Sequence, residues 1–234
     1  MPAGRIPYHK ERQDKAMPVK IGLRHIDLWN ESLEKQVQKY EEEQVEPGQI
    51  VFYGPSNFTR WSTKWEHRPL REEIVGASGK PCCINRGFGS SCTEQQLYYY
   101  GRMVRPLAPS ALVYHGAPGN GLAFGYFMWE SFELAQRVVA YALTDFPDIR
   151  VYFSGVNYKR SMTPEDLEER RLYNSWIRKF CEKTPGCIYV DALEYEPLHA
   201  EDIFAADGTH FNQKGYEIYA DFYREVLKDE LARF

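Results

Sequence analysis

Asp207-Gly208-Thr209-His210 sets a carboxylate and an imidazole on one short segment, just before a stretch with helical apolar spacing. An imidazole oriented by a neighbouring acid is the usual base for activating a hydroxyl nucleophile. The same spacing also serves ordinary helix-entry loops, so the chemistry needs a nucleophile from elsewhere. Gly54-Pro55-Ser56-Asn57 offers one, directly after the apolar run Ile50-Val51-Phe52-Tyr53. A serine there can project from a sheet edge with its own N–H exposed, ready to help stabilise an oxyanion. Its alternative role is to cap a helix. Gly116-Ala117-Pro118-Gly119-Asn120-Gly121 adds an asparagine. Its amide can donate to the same oxyanion, or the residue simply tolerates a tight turn.

Other residues compete for attention. Gly87-Phe88-Gly89-Ser90-Ser91 is a glycine-rich turn that could cradle a phosphate, yet Cys92 stands where G-x-G-x-x-G needs its third glycine. Cys92 is a poor nucleophile candidate, because nothing near it in sequence resembles its base. Asn157-Tyr158-Lys159-Arg160 is either a solvated basic loop or a contact for an anionic substrate group. Phe58, Trp61, Trp65, Phe124, Tyr126, Phe127 and Trp129 stand near the expected site mouth. Some could stack on sugar or aryl rings, and several must be core.

The elements that position these loops follow from hydrophobic patterning. Ile50–Tyr53, Cys82–Ile84, Ala111–Tyr114, Val151–Phe153 and Ile188–Val190 are apolar at successive positions, as strands buried on both faces of a parallel sheet require. Helical spacing covers about residues 31–44, 92–104, 126–144, 164–182 and 212–231. The fourth of these opens with Thr163-Pro164-Glu165, a capping threonine followed by proline at the first helical position. Alternating strands and helices predict a doubly wound α/β fold, in which ligands bind at the carboxyl ends of the strands. The loops at Ser56, Asn85–Gly87, His115-Gly116 and Ser154-Gly155 should therefore share one edge. Residues 1–30 lack periodicity and read as an arm over the domain, 31–234, or over a neighbouring subunit of a homo-oligomer.

Composition narrows the classes. The chain has 234 residues and a net charge of −4 with acids and bases interleaved, giving no reason to expect nucleic acid or a membrane surface as partner. No apolar run of signal-peptide or membrane-span length occurs. Five cysteines fit no metal-ligand spacing and leave one odd, so reduced thiols and a cytoplasmic location are expected.

Taken together, the blocks resemble the SGNH hydrolases, also called GDSL esterases. Ile50-Val51-Phe52-Tyr53-Gly54-Pro55-Ser56-Asn57 is similar to the family's first block, Asn85-Arg86-Gly87-Phe88-Gly89-Ser90-Ser91 to its second, and Asp207-Gly208-Thr209-His210-Phe211-Asn212-Gln213-Lys214-Gly215-Tyr216 to its fifth. The resemblance implies a flavodoxin-like three-layer α/β/α sandwich with a central parallel sheet of about five strands. It also implies a serine esterase acting on a small-molecule ester, without metal or organic cofactor. Ser56 would be the nucleophile, His210 the base and Asp207 its orienting acid. The N–H groups of Ser56 and Ser90 and the Asn120 amide would form the oxyanion hole. Family members act on acetylated sugars, lipids, thioesters and other acyl esters, and a cytoplasmic setting favours soluble esters such as acetylated sugars or glycosides.

Three departures stand out. Pro55 replaces the usual Asp or Ser before the nucleophile. Ser90 falls where a glycine normally donates its N–H. The third block, normally Gly-x-Asn-Asp, places Pro118 at the donor position when read straight from Gly116; a two-residue insertion aligns Asn120 instead. These departures leave two alternatives, a degenerate family member that binds without hydrolysing and a flavodoxin-like phosphate or nucleotide binder using residues 87–91. The Asp207 carboxylate is expected to push the His210 pKa upward.

Overall fold

A computed structural model describes residues 30–234; the expected arm, but for its last residue, lies outside the described residues. Five short runs form one all-parallel sheet in the order β2-β1-β3-β4-β5. The strands are β1 (Ile50–Gly54), β2 (Cys83–Gly87), β3 (Ala111–His115), β4 (Arg150–Ser154) and β5 (Cys187–Val190). In β1 the side chains alternate between the two faces, as a pleated strand requires. Val51 and Tyr53 join one buried cluster, and Ile50 and Phe52 join the other.

The helices divide accordingly. On one face α1 (Asn30–Glu42), α4 (Thr93–Met103), α6 (Met128–Asp145) and α7 (Pro164–Glu182) bury Leu33, Tyr99, Val138 and Tyr173 against the sheet. On the other, α2 (Ser56–Thr59), α3 (Leu70–Glu73), α8 (Gln213–Val226) and α9 (Lys228–Leu231) bury Phe58, Leu70, Tyr219 and Leu231. The result is the expected three-layer sandwich. The α7 start is capped as its sequence predicts, with the Thr163 hydroxyl accepting from the Asp166 N–H at 3.1 Å.

Three local expectations are corrected. The segment Asn85-Arg86-Gly87 is the end of β2 rather than a loop. The glycine-rich third turn contains a short helix, α5 (Pro118–Ala123), because proline at its first position suits a helix start. The last predicted helix is broken at Leu227 into α8 and α9. All five cysteines are buried and free of disulfides. Among the described residues no helix is long and apolar enough to cross a membrane.

The turn that carries Ser56 depends on a close approach between α2 and β2. Gly54 pairs with Gly87 in the β1–β2 register. A Cβ on Gly87 would stand 2.1 Å from the Thr59 backbone nitrogen and 2.5 Å from the Phe58 carbonyl carbon. Only a residue without Cβ lets the α2 backbone lie on the strand tip. Gly87→Ala is expected to cost at least about 1–3 kcal/mol, the usual range for overpacking. Urea denaturation measures it; an unchanged midpoint would show that α2 moves aside freely.

Candidate active site

The carboxyl ends of β1 and β3 and the loop before α8 bring Ser56, Asn120 and His210 to one cavity. Its lining includes Ser56, Asn57, His115, Gly119, Asn120, Lys159, Met162, Arg170, Thr209 and His210, and its volume is about 110 Å³. A larger hollow of about 360 Å³ lies along α7 near Arg178 and Asp191, but it contains no pairing of nucleophile and base.

Ser56 opens α2 directly after Pro55, which has φ −76° and ψ −153°. As the first residue of a helix, Ser56 has no intrahelical partner for its N–H. Pro55 has no N–H to donate, but its carbonyl closes the turn by accepting from Phe58 N at 3.1 Å. The Ser56 Oγ lies 2.8 Å from His210 Nε2, although the two residues are 154 positions apart. His210 Nδ1 in turn lies 2.8 Å from Asp207 Oδ2. This order fits a ring that donates from Nδ1 to the carboxylate and accepts from the serine hydroxyl at Nε2.

The Asp207–His210 loop is fixed by its own backbone. Asp207 Oδ1 accepts from the N–H groups of Thr209 and His210, both at 3.0 Å. Gly208, with φ 65°, supplies the left-handed residue that this tight turn requires. Asn212 then caps α8, its side chain accepting from Gly215 N at 3.1 Å. Burial alone would raise the Asp207 carboxyl. The two main-chain N–H groups and the His210 ring outweigh it and hold the carboxyl well below the usual range. The acid therefore stays ionised.

His210 corrects an expectation. Asp207 does favour the imidazolium, but burial of the ring outweighs it, and the Arg60 and Lys159 cations act in the same direction as burial. The net shift is downward, so the ring is neutral and able to accept a proton at ordinary pH. Arg60 escaped sequence reasoning because α2 was not recognised there. It stands one helical turn after Ser56 and donates to Asp207 Oδ2 at 2.9 Å, while its guanidinium covers the Trp65 ring.

The remaining candidates separate. Asn120 lines the cavity and spends one amide hydrogen on the Ser91 carbonyl at 2.7 Å. No second partner for that amide is found among the described residues, so its other N–H can serve a ligand. Pro118 also lines the cavity but has no N–H to give. Ser90 is exposed, with φ 65°, the conformation that a glycine in its place would adopt readily. It is not among the cavity-lining residues, and its N–H has no partner among the described residues.

The phosphate-cradle alternative is overturned by that same turn. Gly87 N donates to Asn85 Oδ1, Phe88 N to the Gly54 carbonyl, Gly89 N to Gln36 Oε1 and Ser91 N to the Phe88 carbonyl. With those N–H groups committed, the turn has one main-chain donor left, and a phosphate cradle needs several converging ones. Cys92 is buried, and that burial pushes its thiol up to about 11, the state of an inert structural cysteine. None of the seven expected aromatics lines the cavity: Phe58, Trp61 and Tyr126 are buried, while Phe127 and Trp129 stack on each other in solvent. Among the described residues no cluster of histidine, cysteine or acid side chains can hold a metal ion.

Residues 52–218 match the model of the GDSL-like Lipase/Acylhydrolase family. A GDSL-like lipase from Bacteroides thetaiotaomicron superposes with a TM-score of 0.64 at 16% identity, over 88% of this chain and 99% of that one. A carbohydrate esterase family 3 protein from Talaromyces cellulolyticus gives 0.62 at 12% identity, over 80% and 99%. A lipase/acylhydrolase from Enterococcus faecalis gives 0.62 at 17%, over 78% and 96%. At these identities the structures speak for the fold alone. No curated protein sequence matches significantly.

The pH dependence follows from the sign of the His210 shift. A base must be unprotonated, so kcat/KM should rise through a single ionisation below the ordinary histidine value of about 6.5. Removing a nearby cation makes the imidazolium easier to form. Arg60→Gln should therefore move that acid limb to higher pH. A pH–kcat/KM profile checks it, and an unmoved or lowered limb would exclude Arg60 as a charge acting on His210.

Proposed function

Because the chain belongs to the GDSL-like lipase/acylhydrolase family, we propose that it is a serine esterase. Its substrate would be a small acyl ester, such as an acetylated sugar or glycoside. The observation that carries this reading is the unbroken chain from Ser56 Oγ through His210 to Asp207, with both links at 2.8 Å, opening on a cavity.

In this reading Ser56 Oγ attacks the ester carbonyl carbon as its proton passes to His210 Nε2. Asp207 stabilises the imidazolium that forms. The imidazolium then protonates the leaving alcohol, and water repeats the sequence in reverse to free the acid and regenerate Ser56. The N–H of Ser56 and the uncommitted amide hydrogen of Asn120 donate to the oxyanion. The Ser90 N–H, the third donor that the resemblance implies, lies outside the cavity lining. The modest cavity, with Val156 and Met162 as its apolar wall, suits a short acyl group. The carbohydrate-esterase relative is consistent with a sugar ester, but the lack of aromatic stacking surfaces in the cavity lends that choice no further support.

Treatment with a fluorophosphonate should add one adduct by intact mass, mapping to Ser56 and absent from Ser56→Ala. Labelling elsewhere would refute the nucleophile assignment. A screen of short-chain p-nitrophenyl esters should show turnover that Ser56→Ala abolishes; its absence would favour a protein that binds without hydrolysing.

Asn120 provides a sharper test. Each oxyanion donor is worth about 2.7–4 kcal/mol of barrier. Asn120→Ala and Asn120→Gly should both lower kcat by about two to three powers of ten with little change in KM. A kinetically silent Asn120→Gly would mean that the residue serves only the α5 turn.

A further inference from the structure

Among the described residues two cations in the cavity pair with no acid, and this deepens the esterase reading on which it rests. Lys159 leaves the basic loop 157–160 and turns inward; its Nζ would lie 3.8 Å from a Cβ on Gly119. Arg170 reaches the same cavity from the second turn of α7. Neither forms an ion pair among the described residues, and the only polar contact of Arg170 is a weak one, from Nη1 to Met128 Sδ at 3.3 Å. Neighbouring arginines behave differently: Arg171 and Arg178 each reach a carboxylate at 2.8 Å.

The nearby acids are already engaged. Asp166 accepts from the Thr163 N–H at 3.0 Å in the α7 capping box. Asp207 is committed to His210, Thr209 and Arg60. Burial lowers the Lys159 pKa and the Arg170 charge lowers it further, while the charges of Asp207 and Asp166 oppose them only in part. The same cavity holds an unpaired polar atom, Nδ1 of His115, on a ring that is 5% exposed. Burial and the Lys159 charge push that histidine down to about 4, so it is neutral and adds no charge of its own. Uncompensated cations in a partly desolvated wall are unfavourable in the empty protein and favourable once an anion enters.

We propose that Lys159 and Arg170 form a subsite for an anionic group, so that the preferred substrate is an ester carrying a carboxylate or another small anion beside the scissile bond. A charge-assisted contact of this kind is worth about tenfold or more in selectivity.

Two matched ester pairs test this on the intact protein. 4-Nitrophenyl hemisuccinate against 4-nitrophenyl 4-methylpentanoate places the charge on the acyl side. 4-Acetoxybenzoate against 4-acetoxybenzamide places it on the leaving group. Each kcat/KM is divided by the ester's own hydroxide-catalysed rate. The anionic member of at least one pair should be favoured about tenfold or more. Lys159→Gln and Arg170→Gln should each reduce that ratio severalfold, and Lys159→Glu should invert it. Arg171→Gln, on the same helix but outside the cavity, should leave it alone.

Ser56-dependent hydrolysis without preference in either pair overturns the subsite and leaves the esterase reading intact. A preference that survives both glutamine variants also overturns it. Absence of Ser56-dependent turnover on all four esters overturns the esterase reading itself, and the proposed substrate with it.

Discussion

Everything at the site depends on one long-range closure, between the turn after β1 and the loop before α8. Ser56 and His210 must meet within hydrogen-bond distance although 154 positions separate them. A single contact of that kind could not hold so long a loop against its entropy. Several parallel contacts share the task. Tyr216 donates from its hydroxyl to the Asn57 carbonyl at 2.9 Å, and Arg60 donates to Asp207. Trp61 packs against Tyr216 and Tyr219 of α8, and Gln213 reaches Glu73 of α3 at 2.8 Å. The apolar face between α2, α3 and α8 supplies the energy of closure. The polar contacts set its geometry.

That closure also sets the electrostatics. Bringing His210 under the protein surface removes solvation from its charged form, and two cations nearby add to the penalty. Asp207 compensates only in part. The balance keeps the ring a free base in the resting state, while the carboxylate remains available to stabilise the imidazolium once it forms. One acid serves both demands because its two oxygens are divided. Oδ1 is held by main-chain N–H groups, and Oδ2 faces the ring and Arg60.

Sequence made the sheet legible because strands largely buried on both faces leave little choice of residue; all five apolar runs lie within or overlap the observed strands, although the edge strand β5 exposes Ile188. Ser56, Asp207 and His210 were legible because a serine directly after a buried strand and an Asp-x-x-His directly before a helix are distinctive side-chain patterns. Three matters were not. Short helices of four to six residues, α2, α3 and α5, show too few turns for periodicity to register. The inward turn of Lys159 and the reach of Arg170 depend on tertiary placement, since nothing in Asn157-Tyr158-Lys159-Arg160 says which cation faces the cavity. The structure separates them: Arg160 is exposed and approaches the carbonyls of Glu201 and Ala205. The direction of the His210 shift was misjudged for a related reason. Its acid is adjacent in sequence and easy to see, whereas burial comes from residues far along the chain.

The departures from the family pattern also find physical reasons. The Pro55 ring fixes φ where the chain must leave β1 for α2. Ser90 accepts a left-handed conformation that costs a side-chain-bearing residue roughly 1 kcal/mol or more. That strain is sustained because both flanks of the turn are tied down, Gly89 to Gln36 on α1 and Ser91 to Asn120 on α5. The tie through Asn120 links the second and third loops directly. One amide thus braces the turn while its residue also lines the cavity. Such an arrangement couples the two loops, so a change at either should be felt at the other, and the second and third loops are better regarded as one braced unit than as two independent turns.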